Sequence, residues 1–337
     1  LSDGGLGIHS VTAEESIHRT LCRPIRHDDQ DDCPPRPCST DAHRLRRATA
    51  LATIEVLKLR WTPAKAAALM DAATPHGRTW LSAPLSRSNG TLVTDTRVAN
   101  AILAHAIGCD VVPPGYPCLR EGQSCRPSAS PGCDPAGQHV TNCPYVMTTR
   151  HNAVRDVLFN ALLTHAPHLN PLLEQGCGAD GRPYDSPHGV PRVGDIVIYD
   201  QARRSHMYID IAVGGLSQLH MDKAIMKSNV YPQAQHVQKM NDPRRGDVLR
   251  AGQQHVALAF GPTGAPSYWT KKFLWSVLAP ALDPFRGGGS GRLLGAHSAH
   301  SPYVELMTRC QLAILRTHGG RFVALADVLL ELRRDGE

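Results

Sequence analysis

The sequence has no run approaching the roughly 18 consecutive apolar residues that a membrane span needs, so a membrane-spanning helix is not expected. It has no signal-peptide pattern at its start and no internal repeat of the kind that organises solenoids. It lacks the compact C-x2-C spacing of the commonest zinc sites. At 337 residues it is also much longer than a usual disulfide-stapled secreted domain. Leu1 at one end and a charged, helix-like segment at the other suggest a piece of a longer polypeptide. What is present is ordinary in bulk: 42% hydrophobic residues and a net charge of +6, with Arg far commoner than Lys. That length allows about two domains of roughly 150 residues. The mild basic balance is compatible with nucleic acid without establishing it. Ten cysteines and eighteen histidines are more specific, because the cysteines crowd the middle of the chain. They point to an intracellular protein with a metal cluster.

Residues 1–40 read as a loop or surface insertion, rich in Gly, then His and Asp, then Pro and Cys. Helices are predicted over 41–60, from Pro63 through PAKAAALMDAA, and over 94–107 with Thr94 or Asp95 as cap and Gly108 as stop. Residues 109–145 hold five cysteines amid Pro and Gly without periodicity. RHNAVRDVLFNALLTHA follows as an amphipathic helix with Val154, Val157, Leu158, Ala161 and Leu162 on one stripe. Residues 170–190 read as loop. DIVIYD and SHMYIDIAV are strands, QAQHVQK a helix, HVALAFG a third strand and WTKKFLWSVLAPAL a helix. PFRGGGSGR reads as a flexible linker, with two closing helices around 302–317 and 321–334.

The two strands DIVIYD and SHMYIDIAV each carry an aspartate in apolar company. With QARR as the turn, Asp200 faces Ser205, and counting outward sets Asp195 opposite Asp210. Opposed residues share a face about 4.5–5.5 Å apart, while Ile196, Ile198, Ile209, Ile211 and Val213 take the other, core face. Two carboxylates so placed repel unless a cation lies between them, and oxygen-only ligation suits Mg²⁺ or Mn²⁺. The alternative is a pair of aspartates solvated on the sheet's outer face, and a one-residue slip would remove the pairing.

Cys125-x7-Cys133-x5-His139-x3-Cys143 offers three thiols and an imidazole, a tetrahedral set for structural Zn²⁺. Cys118 is a substitute for Cys125, and scattered thiols are the competing reading. Directly after it stand Arg150, His151 and Asn152 at the start of the amphipathic helix. Asn152 and Asp156, four apart, share a polar face. That face suits metal, water or phosphate, or is simply a solvated helix surface.

In this order, a cysteine–histidine knuckle, an R-H-N helix start and an Asp-x14-Asp hairpin resemble the restriction-like endonuclease of certain non-LTR retrotransposon reverse transcriptase proteins, of the PD-(D/E)XK superfamily. GGLGIHSVTAEES resembles the segment after the reverse-transcriptase thumb. GRTWLSAPLSRSNGTLVTDTRVANAILAHAIGC resembles the connecting helical region, and HVALAFGPTGAPSYWTKKFLWSVLA the strand, loop and helix after the nuclease core. The resemblance covers about residues 1–20 and 75–280.

The resemblance implies an α/β fold: a PD-(D/E)XK restriction-endonuclease-like core with a zinc knuckle and a helical amino-terminal region. It implies a helical region over 1–110, a knuckle region over 111–146, the endonuclease over 147–282, and a linker with terminal helices over 283–337. Asp195 and Asp210 become ligands of Mg²⁺ or Mn²⁺, with Asp156 a further ligand; Cys125, Cys133, His139 and Cys143 become ligands of Zn²⁺. Arg150, His151 and Asn152 become an accessory motif, and Arg150, Arg203 and Arg204 contacts to nucleic acid. The implied activity is nicking of target DNA to prime reverse transcription, with DNA and element RNA as partners in the nucleus, and with neither a membrane nor a small-molecule substrate. Two positions depart from the pattern. Gly194 stands where Pro is usual, and Ala212 stands where the superfamily lysine is expected. Lys239 is the first choice to supply that lysine from a following helix, with Lys223 and Lys227 behind it; all three also read as surface lysines. The rivals are an inactive zinc-containing nucleic-acid-binding remnant and a purely structural zinc domain.

Overall fold

The computed structural model describes residues 61–72, 77, 79–82, 92–106, 109–112, 119–120, 123–124, 136–185, 192–201, 203–278 and 302–335. The chain divides into two compact units, Leu1–Thr62 and Pro63–Glu337. The expected helix at 41–60, the knuckle cysteines Cys118, Cys125 and Cys133, and the PFRGGGSGR linker lie outside the described residues.

In the second unit, α1 (Pro63–Ala72), α2 (Thr79–Ser82) and α3 (Thr96–Ala106) come first. Pro63 occupies the first turn of α1, where its missing N–H costs nothing. Asp95, not Thr94, caps α3: its carboxylate accepts from Arg97 N at 2.8 Å and Val98 N at 3.3 Å. A small hairpin, β1 (Leu119–Arg120) and β2 (Gln123–Ser124), precedes α4 (Gln138–Asn142) and the long α5 (Pro144–His165). Helix α5 starts at Pro144, so Arg150, His151 and Asn152 lie inside it rather than at its beginning. Val154, Leu158, Ala161 and Leu162 form its buried stripe, with Val157 half-buried beside them.

The sheet follows: β3 (Leu172–Cys177), β4 (Pro183–Asp185), β5 (Gly194–Asp200) and β6 (Ser205–Val213), then α6 (Met221–Met226), α7 (Val230–Met240), α8 (Pro243–Arg250) and β7 (Gln254–Phe260). The expected loop at 170–190 therefore contains two strands. Their cues are weak: β4 is three residues long and Glu174 breaks strand geometry with φ 53°. Strand order is β4-β3-β5-β6-β7. All pairs are antiparallel except β6–β7, whose parallel pairing requires the crossover through α6, α7 and α8. The architecture is thus α/β with a mixed sheet.

Helix α9 (Tyr268–Phe273), a π turn (Leu274–Leu278) and α10 (Pro302–Asp335) complete the described unit. Two closing helices are expected, around 302–317 and 321–334, yet α10 runs through Gly319 and Gly320 unbroken. A Cβ at Gly319 would lie 2.9 Å from Ile102 and 3.1 Å from Val98. The glycine admits the close approach of α3, and that packing offsets its helix cost of about 1 kcal/mol. One sheet face, with Ile196, Ile198, Ile209, Ile211 and Phe260, packs against α5 and α10 as the main core. The other face carries Val197 and Tyr208 beneath Val248 of α8. No helix among the described residues is long and apolar enough to cross a membrane.

Candidate active site

The hairpin register is the one counted from the sequence: Asp200 pairs with Ser205 and Ile196 with Ile209. The next step outward sets Asp195 opposite Asp210. Regular pairing stops there because the Asp195 side chain takes the Ile211 N–H, with Oδ2 accepting at 2.6 Å. The face they share is not an open, solvated one. Tyr208 and Val197 on it are buried, and Asp210 itself is only 7% exposed.

Three other elements converge on the pair. From the interior of α5, His151 Nε2 lies 3.1 Å from Asp195 Oδ1. From the last turn of α7, Lys239 Nζ donates to Asp210 Oδ1 at 2.7 Å. The height of α7 over the sheet is set one turn earlier, where His236 Nδ1 donates to the Ala257 carbonyl at 3.1 Å. Ala257 is the residue that pairs with Asp210 across β6–β7. Ala212, where a lysine is expected from the resemblance, is buried. Lys223 and Lys227 are exposed on and just after α6. From β7, His255 Nε2 stands 4.0 Å from Asp210 Oδ2.

The electrostatics of the two carboxylates diverge. Burial raises Asp195, but the His151 contact, the Ile211 N–H and Lys239 outweigh it and hold the carboxyl below its ordinary value. For Asp210, burial wins: with the adjacent Asp195 charge it pushes the carboxyl up to about 6, against the pull of Lys239. His255 is driven down to about 4 by burial, then by Arg245 and Lys239, and so is neutral at physiological pH. Two carboxyls in one site whose values are pushed apart make it a candidate for acid–base or metal chemistry.

The remaining sequence-predicted residues fall elsewhere. Arg150 corrects the expectation of a phosphate contact. It is 1% exposed, and its guanidinium donates to the Thr141 carbonyl and, at 2.6 Å, to the Val213 carbonyl. Burial lowers it to about 10, still protonated at neutral pH. It is a tie between α4, α5 and the end of β6. Asp156 also departs from its expected role as a ligand. It sits about 140° around α5 from His151, exposed and paired with Arg155 at 2.8 Å. Asn152 is half-buried on the same helix; His151, not Asn152, makes the hydrogen bond to the acid pair. Arg203 and Arg204 are exposed at the turn. They stand roughly 17 Å along the strands from the pair, at about 3.4 Å per residue. His139 lies half-buried on α4, and Cys143 caps α5 inside a cluster with Val112, Val140, Val146, Phe322 and Leu325. Cys125 and Cys133 lie outside the described residues, so the four proposed zinc donors are not seen together.

Three residues at or beside the site are not identifiable from the sequence. His255 comes from a parallel strand whose register only the crossover fixes. Arg244 is gripped by the α8 cap Asp242, which accepts from Arg244 N at 3.0 Å, and its positive charge acts on both Asp210 and Asp195. Glu174 stands opposite Asp195 by the β3–β5 register, but its side chain is held by Arg155 and Arg192.

Among the described residues no group of three or more His, Cys, Asp and Glu is arranged to hold a metal ion. The two carboxylates nevertheless fit a hard cation. Each oxygen has a lone pair beyond its present partner, their mutual repulsion favours a positive charge, and Mg²⁺ characteristically takes only one or two carboxylates with water completing its shell. No protein-family model matches the chain, and searches of curated proteins and of solved structures return no match.

Proposed function

We propose that this chain carries a metal-dependent DNA endonuclease of the PD-(D/E)XK type, part of a non-LTR retrotransposon reverse transcriptase protein that nicks target DNA to prime reverse transcription. The observation that carries this reading is the position of Lys239. It lies 29 residues from Asp210, on a separate helix, yet its ammonium meets that carboxylate. An acid pair with a lysine is the constellation that phosphodiester hydrolysis by this superfamily requires, and Ala212 leaves the usual source of that lysine empty of charge.

Asp195 and Asp210 would hold Mg²⁺ or Mn²⁺, which when bound polarises the phosphodiester and lowers the pKa of a coordinated water. Asp195, kept ionised by His151 and the Ile211 N–H, is the permanent anionic ligand. Asp210 completes the pair once deprotonated. Lys239 stabilises negative charge that develops on the phosphate oxygens, and His151 orients Asp195. Hydrolysis breaks the P–O3′ bond, with water's oxygen joining phosphorus, and leaves the 3′-hydroxyl that priming needs. In this reading Arg203 and Arg204 bind the backbone away from the cut. Cys125, Cys133, His139 and Cys143 hold Zn²⁺ in a knuckle, and the protein acts in the nucleus on DNA with the element RNA.

Nicking of supercoiled plasmid by the full chain tests this. Activity requiring Mg²⁺ or Mn²⁺ is expected, with a loss of roughly 1000-fold or more for Asp210→Ala, about 4 kcal/mol of transition-state stabilisation, and a comparable loss for Asp195→Ala. Lys239→Ala should lose at least roughly 100-fold. One observation favours the inactive-remnant alternative: Lys239 already occupies an Asp210 oxygen that a cation would share. A wild-type chain that binds DNA but never nicks it would establish that alternative.

A further inference from the structure

Helix α9 presents two adjacent aromatic side chains to solvent. Tyr268 is 52% and Trp269 48% exposed. Their rings meet edge to face, with centroids 5.2 Å apart. Each carries a cation: Lys271 Nζ lies 5.8 Å from the Tyr268 centroid and Lys272 Nζ 5.3 Å from that of Trp269. Residues 261–278 contain no acidic side chain, nor does α7 beside them. Exposed aromatics commonly mark a protein contact, but the two charged side chains of residues 261–278, Lys271 and Lys272, are both cationic and lie at the rings, which fits a polyanion.

The patch is also joined to the acid pair. Trp269 stacks on His236 with ring planes 21° apart and centroids 6.2 Å apart. His236 is anchored to the Ala257 carbonyl, and Ala257 pairs with Asp210. One ring stack, one hydrogen bond and one strand spacing of about 4.8 Å therefore link the patch to the candidate active site. The buried hydrogen bond to His236 fixes the imidazole under Trp269, so one face of the indole is backed by an anchored ring.

We propose that Tyr268 and Trp269 form a stacking platform for unpaired bases of the nucleic acid strand beside the cut, with Lys271 and Lys272 meeting its phosphates. This deepens the nuclease reading and rests on it for placing the strand. The substrate class becomes DNA with a locally opened or single-stranded stretch rather than uniform duplex. Aromatic stacking takes any base, because every base has a π face, so the platform reads strandedness and not sequence.

The test is fluorescence anisotropy of the full chain with labelled single-stranded DNA, fully paired duplex, and duplex carrying an unpaired bubble. Trp269→Ala and Tyr268→Ala should each weaken single-strand and bubble binding roughly tenfold, and leave duplex binding within about twofold. Trp269→Phe should restore most of the loss, and far-UV circular dichroism should show all variants folded. Equal loss on duplex and single strand, or no loss on either, overturns the platform. So does a change in oligomeric state for Trp269→Ala with unchanged DNA affinity, which would assign the patch to a protein contact. Loss of nicking in Asp210→Ala is read separately. If wild-type never nicks yet the aromatic variants lose single-strand binding, the nuclease reading fails and the platform stands.

Discussion

Two buried charged clusters draw on neighbouring residues of α5, Arg150 and His151, and they handle charge in opposite ways. At the Arg150 junction a single cation is enclosed by backbone carbonyls of Thr141 and Val213, with the neutral ring of His318 at 3.3 Å. Around it Leu216 N donates to Thr141 Oγ1 at 3.0 Å and Asn142 Nδ2 to the Leu216 carbonyl at 2.9 Å. A Cβ at Gly215 would collide with the Thr141 carbonyl at 2.5 Å, so the segments are drawn together as far as backbone allows. That cluster ties backbone segments together and serves packing, although Arg150 Nε makes no hydrogen bond among the described residues. At the acid pair, two carboxylates share one lysine, and Asp210 is left near 6 because burial and Asp195 work against its ionisation. That cluster holds two like charges in conflict. The difference teaches that burial alone does not single out a candidate site; a conflict between like charges is the more specific feature.

Three experiments break or sharpen this contrast, beginning with the largest effect. Arg150→Met keeps most of the volume but strips two buried carbonyls of their donor, at about 1–3 kcal/mol each. Urea unfolding should show a loss of about 3 kcal/mol or more, with unfolding midpoint lowered accordingly. Unchanged stability with weakened DNA binding would reverse the contrast and restore a phosphate role to this residue.

The second concerns pH. Asp210 has a folded-state value raised to about 6 from 3.8. A raised carboxyl contributes stability in full below its ordinary value and loses that contribution as pH rises through about 6. Asp195 is depressed, so its contribution is present above the ordinary carboxyl value and lost only in more acidic solution. His255, depressed to about 4, opposes folding as pH falls below 6.5, and does so in wild type and variant alike. The melting temperature of wild type minus that of Asp210→Asn should therefore fall between pH 5 and pH 7.5 without metal. Mg²⁺ should recover part of the difference at pH 7.5. A difference independent of pH would show that Asp210 is not the strained member.

The smallest effect belongs to the turn. Arg203→Ala and Arg204→Ala should each change stability by no more than about 0.5 kcal/mol, as exposed side chains do. Together they should lower the salt dependence of duplex binding, since two phosphate contacts are removed. Arg204 carries φ 51°, so Arg204→Gly, which relieves that backbone, should be neutral or slightly stabilising.

Much of the hairpin is legible in the sequence because strand side chains alternate with a period of two. Asp195, Ile196, Ile198, Ile209 and Asp210 fall on their faces by counting alone, once the turn is placed. The α5 stripe from Val154 to Leu162 is equally local. The helix start is not, because Pro144 sits in a cysteine-rich stretch without periodicity, and so Arg150 reads as a polar terminus when it is an interior residue. The strands of 172–185 are hidden by a left-handed Glu174 and by a partner that is only three residues long.

What the sequence by itself determined is the local geometry: the opposed aspartates, the apolar faces, the capped helices and a short set of candidate lysines. Tertiary structure alone decided which lysine reaches the pair, that His255 faces Asp210, and that Arg150 is enclosed while Arg203 and Arg204 remain at the surface. The reason is physical. Periodicity within an element fixes where its side chains point relative to one another. The meeting of α5, α7, β6 and β7 depends on a parallel crossover and on packing between residues far apart in the chain, which no local pattern records.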